Sequence, residues 1–387
     1  MNGWPRVQIR HIARFAYGDS LGADVRSDGA VRVYGSNGVV GTHDRANTAG
    51  PVLVIGRKGS YGKVNFSEQP VFAIDTTYFV DASLTSHNLR WLMYALDTVG
   101  LDSLSQDVGV PGLSREVAYR ERVPLPTALA QRAIADFLDT ETARIDALIS
   151  KKRRLIELLD QRLRLEALTL TVGDWARLPL RRCVESVKTG TTPPSSEFEA
   201  LQGDQEPWYS PGDVGTRLEM QEPARLLSSR SVSEGWVPRF PAESTVIVGI
   251  GATAGRVGHT SVPGTGNQQM SCLIAGPRIL GRFLSWQLWA RGDEMRATAP
   301  HTTLPILNND FLKSFEVSLP DFRVQESTAA VLDRSAGATG IVTSTISRQV
   351  DLLVEHRQAL ITEAVTGAMT VTNTAVGVGA QAASARG

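Results

Sequence analysis

Between residues 127 and 168 apolar side chains recur every three or four positions: Ile134, Phe137, Leu138, Ile145, Leu148, Ile149, Leu155, Ile156, Leu159 and Leu163. No proline or glycine interrupts them, and the spacing predicts one continuous amphipathic helix of roughly 60 Å. A helix of that length cannot hide its stripe inside its own small domain. Taking Leu138, Ile145, Lys152 and Leu159 as one heptad position, and Glu141, Leu148 and Leu155 as the other, gives a coiled-coil seam with polar interruptions. A second stretch, 324–365, carries Leu332, Val342, Ile346, Leu353 and Leu360 on its stripe, with Ile346 and Leu360 where the first helix has Lys152 and Glu166. Gly337 and Gly340 weaken its first half by about 1 kcal/mol each relative to alanine, which leaves room for a kink. The expected helix–helix or subunit contacts are therefore Leu138, Ile145, Leu148, Leu155, Leu159, Val342, Ile346, Leu353 and Leu360.

Ahead of each helix the pattern is different. Val52-Leu53-Val54-Ile55 and Val71-Phe72-Ala73-Ile74 are short apolar runs bounded by turn residues, as in buried strands. The segment Gly59-Ser60-Tyr61-Gly62-Lys63 between them reads as a turn, and the Asn37-Gly38 pair in the apolar stretch 34–41 marks a hairpin. Leu89, Leu92, Met93 and Leu96 have helical spacing. Residues 174–320 repeat the plan, with apolar runs at Val246-Ile247-Val248 and Ser271-Cys272-Leu273-Ile274 and a short helix marked by Phe283, Leu284, Leu288 and Trp289.

The likeness of the two halves extends to the letters. Val123-Pro124-Leu125-Pro126, Ala130-Gln131-Arg132 and Phe137-Leu138-Asp139 return as Val317-Ser318-Leu319-Pro320, Val324-Gln325-Glu326 and Val331-Leu332-Asp333 at a constant offset. Trp4-Pro5-Arg6-Val7 has its echo in Trp175-Ala176-Arg177-Leu178, and both tryptophans read as core. The chain is a tandem duplication of a strand-rich domain followed by a long helix. The expected divisions are 1–126, 127–172, 173–322 and 323–369, with 370–387, which lacks periodicity, as a disordered tail.

Composition adds limits. At 387 residues there is material for two or three cored domains, and 40 basic against 40 acidic residues give no global attraction for nucleic acid, which leaves local patches. All but six of the basic residues are arginine, a bias that suits bidentate contacts to guanine or phosphate and that genome base composition explains equally well. Cys183 and Cys272 read as small buried hydrophobes. No basic-then-apolar leader and no apolar run near the ~20 residues of a membrane span are present, so the expected setting is the cytoplasm.

Catalytic chemistry is hard to find. The stretch 246–255, Val-Ile-Val-Gly-Ile-Gly-Ala-Thr-Ala-Gly, looks like a strand and a nucleotide loop, but Gly258, Pro263, Gly264 and Gly266 forbid the helix such a loop requires. A tight turn between strands is the expected structure. Six histidines (His11, His43, His87, His259, His301, His356) show no metal-ligand spacing, and there is no phosphate-binding lysine loop or serine elbow. The expectation is a chain without catalytic, cofactor-binding or metal residues. Lys151-Lys152-Arg153-Arg154 reads most simply as a solvated helix face. Residues 57–63 gather three cations, two hydroxyls and flexible glycines, which suits groove contact and equally a plain polar turn. The candidate DNA contacts are Ser36, Asn37, Arg57, Lys58, Ser60, Tyr61 and Lys63 in the first domain, and Lys188, Thr189, Arg256, Gln268 and Gln269 in the second.

The segment from Pro124-Leu125-Pro126 through Ala130-Gln131-Arg132-Ala133-Ile134-Ala135-Asp136-Phe137-Leu138-Asp139 to Leu155-Ile156-Glu157-Leu158-Leu159 resembles the helical region of type I restriction–modification specificity subunits, as does Leu360-Ile361-Thr362-Glu363-Ala364-Val365-Thr366-Gly367. Val33 to Gly41 with Ile55 to Gly62, and separately Trp208-Tyr209-Ser210-Pro211-Gly212-Asp213-Val214, resemble segments of two classes of their target-recognition domains. The second helix departs from the pattern at Val324-Gln325-Glu326 and across 335–340. The resemblance implies an α+β fold: two mixed strand-rich target-recognition domains separated by two long antiparallel coiled-coil helices, a pseudo-twofold tandem duplication. It implies a non-catalytic DNA-binding subunit whose domains each read one half of a bipartite double-stranded site. The helices would set the spacing and dock two methyltransferase subunits, with motor–nuclease subunits as further members. S-adenosylmethionine, ATP and magnesium would then belong to those partners. The alternatives are a coiled-coil scaffold without sequence-specific DNA binding and a self-contained S-adenosylmethionine-dependent methyltransferase built on the loop at 249–255.

Overall fold

The computed structural model describes residues 4–104, 111–300 and 305–371. The expected disordered tail lies, beyond Val371, outside them. The chain forms two compact units, Met1–Lys152 with Arg348–Gly387, and Arg153–Ser347. Each unit thus holds one strand-rich domain and half of each long helix.

In the first unit a four-stranded antiparallel sheet runs in the order Ala16–Tyr17, Thr77–Asp81, Val52–Gly56, Val64–Ser67. A three-stranded sheet places Gly38–His43 antiparallel and Phe72–Ala73 parallel to Val31–Gly35. Val52–Gly56 is an unbroken apolar run because both its faces are covered. Leu53 and Ile55 join the main core with the helix Leu89–Asp97, while Val52 and Val54 pack with Tyr34, Val71 and Ala73. That helix opens where Asn88 accepts the Trp91 amide through its side chain. The strands Arg6–Gln8 and Arg122–Pro124 pair antiparallel, so the chain enters and leaves the domain side by side.

The second unit repeats this topology strand for strand. Its four-stranded sheet has the order Val184–Thr189, Met270–Ala275, Ser244–Val248, Val257–Thr260. Its three-stranded sheet sets Leu226–Leu227 antiparallel and Thr265–Gly266 parallel to Gln202–Tyr209. The entry and exit strands are Arg177–Pro179 and Glu316–Ser318. Helix Gly281–Ala290 takes the place of Leu89–Asp97 and closes a core with Phe283, Leu284 and Leu288. The same polar fastenings recur: Asp139 accepts from Tyr94 at 2.8 Å and from Arg90, while Asp333 accepts from Trp286 and Arg282, each at 2.8 Å. Two six-residue helices, Arg115–Arg120 and Asn309–Ser314, precede the exit strands and have no counterpart in the sequence pattern, being too short to show a period.

The long helices span Ala128–Thr171 and Phe322–Thr366, and the second continues unbroken through Gly337 and Gly340. Gly340 has a local reason: a Cβ there would meet the Arg217 guanidinium at 3.0 Å, and Arg217 donates to Thr343 one turn on. In the first unit Ile145 and Ile149 pack with Val350, Leu353 and Leu360. Lys152 donates to Gln349 at 2.6 Å and Arg357 meets Asp146 at 3.0 Å, so the segments run antiparallel. In the second unit Leu163 and Ala167 share a core with Ala329 and Leu332, and Ser335 donates to Glu166 at 2.9 Å.

The seam differs from the sequence expectation by one position. Leu138 and Ile145 are buried, but the companion series is Thr142, Ile149, Ile156 and Leu163. Leu148 and Leu155 are 41% and 45% exposed, and Val342 is 46% exposed beside buried Thr343 and Ile346. Residues three and four positions after a helical reference lie on opposite flanks of it, so periodicity admits both. Glu141 and Arg162 mark the flank that faces water.

The tryptophans Trp4 and Trp175 are half-buried rather than core. Trp4 lies over Gly367 and Trp175 over Gly173, each just past the end of a long helix, where a Cβ would sit 2.6 and 3.1 Å from the ring. Both cysteines are free and buried, as expected of small hydrophobes. No helix among the described residues is long and apolar enough to cross a membrane.

Candidate nucleic-acid interface

The loop 57–63 is the hairpin connection between Val52–Gly56 and Val64–Ser67. Its glycines are structural: Gly59 and Gly62 have φ of +71° and +78°, and a Cβ on Gly62 would lie 2.2 Å from the Asp102 amide. The candidate residues fall into two groups. Lys63 reaches the hairpin tip, donating to Asn37 O at 3.1 Å and Oδ1 at 2.9 Å, while buried Ser36 donates to Thr76 O at 2.6 Å. Ser60 is exposed and Tyr61 packs partly on the core.

Arg57 and Lys58 instead line a recess of about 550 Å³ with Tyr17, Tyr78, Ser114, Arg115 and Glu116. The Arg57 guanidinium donates to Asp75 O at 3.0 Å and lies 5.0 Å from the Tyr17 ring and 6.0 Å from Tyr78. Arg115 also lies 5.0 Å from the Tyr17 ring, and 5.9 Å from Tyr119. Such placements favour the cation electrostatically and hold its plane. The Tyr78 hydroxyl donates to Leu113 O at 3.0 Å. Burial, with Tyr17 beside it and against the pull of Arg57, raises its pKa above the ordinary 10.0 and keeps it a neutral donor.

In the second unit Thr189 and Asn309 bond at 3.0 Å and Ser271 donates to Asn309 at 3.3 Å. Lys188 precedes Thr189 as an exposed side chain, Gln268 accepts from Thr192, and Gln269 donates its amide to Asn267 at 3.0 Å. Arg256 lies apart from them. It donates to Val214 O at 3.2 Å and lines a cavity of about 170 Å³ with Arg164, Arg296 and Asp293.

These two polar corners occupy the same place in the duplicated fold. Tyr17 pairs with Tyr78 across the sheet as Thr189 pairs with Ser271. Leu113 donates its amide to Arg57 O at 2.8 Å, and Leu307 donates to Gly249 O at 2.8 Å. Bridges between Lys58 and Gly112 and between Ile250 and Ile306 close the corner in each. Arg115 and Asn309 both open the short helix that follows. Sequence reasoning misses Tyr17, Tyr78, Arg115, Ser271 and Asn309, because nothing local singles them out. The repeat offset, carried through, aligns Arg115 with Asn309 and is the one signal that could have found them.

Two arrangements resemble catalytic constellations. The loop 249–255 leads directly into the strand Val257–Thr260, the tight turn that its glycines and prolines implied. Ser285, His259 and Glu243 form a chain at 2.9 and 3.2 Å, but Ser285 is fully buried within a helix and already bonded to Thr245 and Gly281. Burial, with Arg282 nearby and against the pull of Glu243, lowers the His259 pKa and keeps the ring neutral. Among the described residues no group of three or more His, Cys, Asp or Glu could hold a metal ion. The basic run at 151–154 is partly engaged within the helices, Arg154 meeting Glu157 at 2.8 Å.

Residues 174–351 match the family model for the type I restriction modification DNA specificity domain. That segment belongs to the family. The match falls on the second copy, and the first copy repeats this specificity domain's strand order, so the resemblance read from the helical motifs is borne out. The specificity subunit of the type I restriction enzyme EcoR124I/EcoR124II from Escherichia coli is 26% identical over 168 residues. The alignment covers 42% of this chain and only 41% of that subunit. A chain from a solved structure concerned with complex assembly and conformational transition of the type I R-M system has a TM-score of 0.71 at 13% identity, over 95% of this chain and 99% of its own, which shows a shared fold. The HsdS subunit from Thermoanaerobacter tengcongensis covers 95% of this chain and 98% of its own at 13% identity, with a TM-score of 0.46.

Proposed function

We propose that this chain is the DNA-reading subunit of a type I restriction–modification complex, with each unit recognising one half of a bipartite double-stranded site. One observation carries the reading: the same fold occurs twice and presents different polar chemistry at the same corner. Different polar side chains at equivalent positions of a common scaffold are what two readers of different sequences require. The family match of residues 174–351 supports it. The subunit is non-catalytic in this proposal, and two methyltransferase subunits dock along the long helices, where Leu148, Leu155, Leu158 and Leu165 stand exposed. Motor–nuclease subunits join where the complex also cleaves. S-adenosylmethionine, ATP and magnesium belong to those partners.

Mapping methylated bases in a host that expresses the chain with its cognate methyltransferase tests this. The expected pattern is two short defined segments separated by a fixed undefined gap. Replacing residues 174–320 with another subunit's second domain changes one segment alone. A pattern without two segments, or a change in both, defeats the reading.

A further inference from the structure

We infer that the cationic corner of the first unit reads a guanine in its half-site, with Arg57 and Arg115 as the specificity-determining side chains. This rests on the two-reader proposal above and adds what one reader selects. The major-groove edge of guanine offers two acceptors, O6 and N7, and the planar guanidinium fork satisfies both at once. Arg57 and Arg115 are presented for such a contact. Both are partly exposed, both lie 5.0 Å from the half-exposed Tyr17 ring, and Arg57 is further pinned by its bond to Asp75 O. Side chains held in this way lose little freedom when they bind. Glu116 borders the same recess, with its carboxylate 3.9 Å from Arg115 Nε. A carboxylate repels a phosphate but accepts from the cytosine amino group, so arginine and glutamate together match the donor–acceptor pattern of a G·C pair better than they match a backbone clamp.

The second unit provides the contrast. At the matching corner, Gly249 stands for Arg57 and Asn309 for Arg115, and Asn309 is hydrogen-bonded to both Thr189 and Ser271. Among the described residues, neither position equivalent to Arg57 or Arg115 carries a guanidinium fork, so in this proposal that half-site is read by other means. The arginines are therefore not part of the shared scaffold; they belong to what distinguishes one reader from the other.

The test uses the full chain co-expressed with its methyltransferase subunits and a duplex library randomised over both half-sites. Exchange of residues 174–320 assigns each half-site to its unit. The parent is expected to select guanine at one or two positions of the first unit's half-site. Arg115→Lys and Arg57→Lys keep the charge and remove the fork. At least one of them is expected to lower the guanine preference on the order of 10- to 100-fold at a single position. Affinity for duplexes without guanine at that position, the salt dependence and the second half-site should stay as in the parent, which also shows that the variants fold. A bipartite pattern without guanine in the first half-site overturns the assignment. So does guanine selection that survives both lysine variants, which would make the arginines phosphate contacts. Either result leaves the two-reader proposal standing, whereas the absence of any bipartite pattern removes both.

Discussion

Gln131 and Gln325 lie at matching places in the first turn of the two long helices, and each is buried. Gln131 donates to Pro126 O at 3.0 Å and accepts the Asn88 amide at 3.0 Å. Gln325 donates to Pro320 O at 3.0 Å and accepts the Leu280 amide at 2.7 Å. Each amide therefore ties the start of a long helix to the start of a short one and satisfies backbone groups that have no helical partner. Gln325→Ala strands a buried amide and a carbonyl, and is expected to cost about 1–3 kcal/mol per stranded group. Urea denaturation measures this, and a loss below about 0.5 kcal/mol, the range of neutral surface changes, would show that the fastening is dispensable. These glutamines are visible in the sequence only as letters shared by the repeats. Their role is not, because a hydrogen bond to a residue more than 40 positions away leaves no local trace.

At the scale of elements, length decides what can be read. The long helices and the runs at 52–55 and 246–248 announce themselves, since a sustained period or an unbroken apolar run is compatible with few other structures. The hairpin at Asn37-Gly38 is legible from turn chemistry, and Gly38 has φ of +120°. The six-residue helices and the two-residue strands offer too few positions to form a pattern, although they carry Arg115, Asn309 and Tyr17. The seam reads on the wrong flank for a related reason, since leucines at 148 and 155 imitate an interior series. Ile149→Ala is expected to destabilise the protein by about 2–5 kcal/mol, while Leu148→Ala, at a position 41% exposed, should stay within about 0.5 kcal/mol. Equal losses in the two variants would put Leu148 back in the seam.

For the whole molecule the two-reader proposal predicts that helix length, not groove chemistry, sets the gap in a bipartite site. One heptad added to each long helix, after Lys152 and after Ser347 where the compact units divide, keeps the seam in register. It adds roughly 10 Å of helix at ~1.5 Å per residue. The preferred gap should widen by about three base pairs or fewer, given ~3.4 Å per pair, with both half-sites unchanged. Methylation mapping that shows full activity at the original gap would sink the idea. Three-residue insertions turn the stripe away and should impair folding.

Each domain begins and ends on one two-stranded ladder, Arg6–Gln8 beside Arg122–Pro124 and Arg177–Pro179 beside Glu316–Ser318. Because the two ends of the domain meet at one point, an entire domain can be exchanged for a relative with both junctions inside a few paired residues. Neither helix needs to lengthen, shorten or turn to accept it. If each domain reads one half-site as proposed, two recombination crossovers at those ladders are enough to rewrite half of an inherited recognition signature. The other half, and the long helices themselves, pass through unchanged.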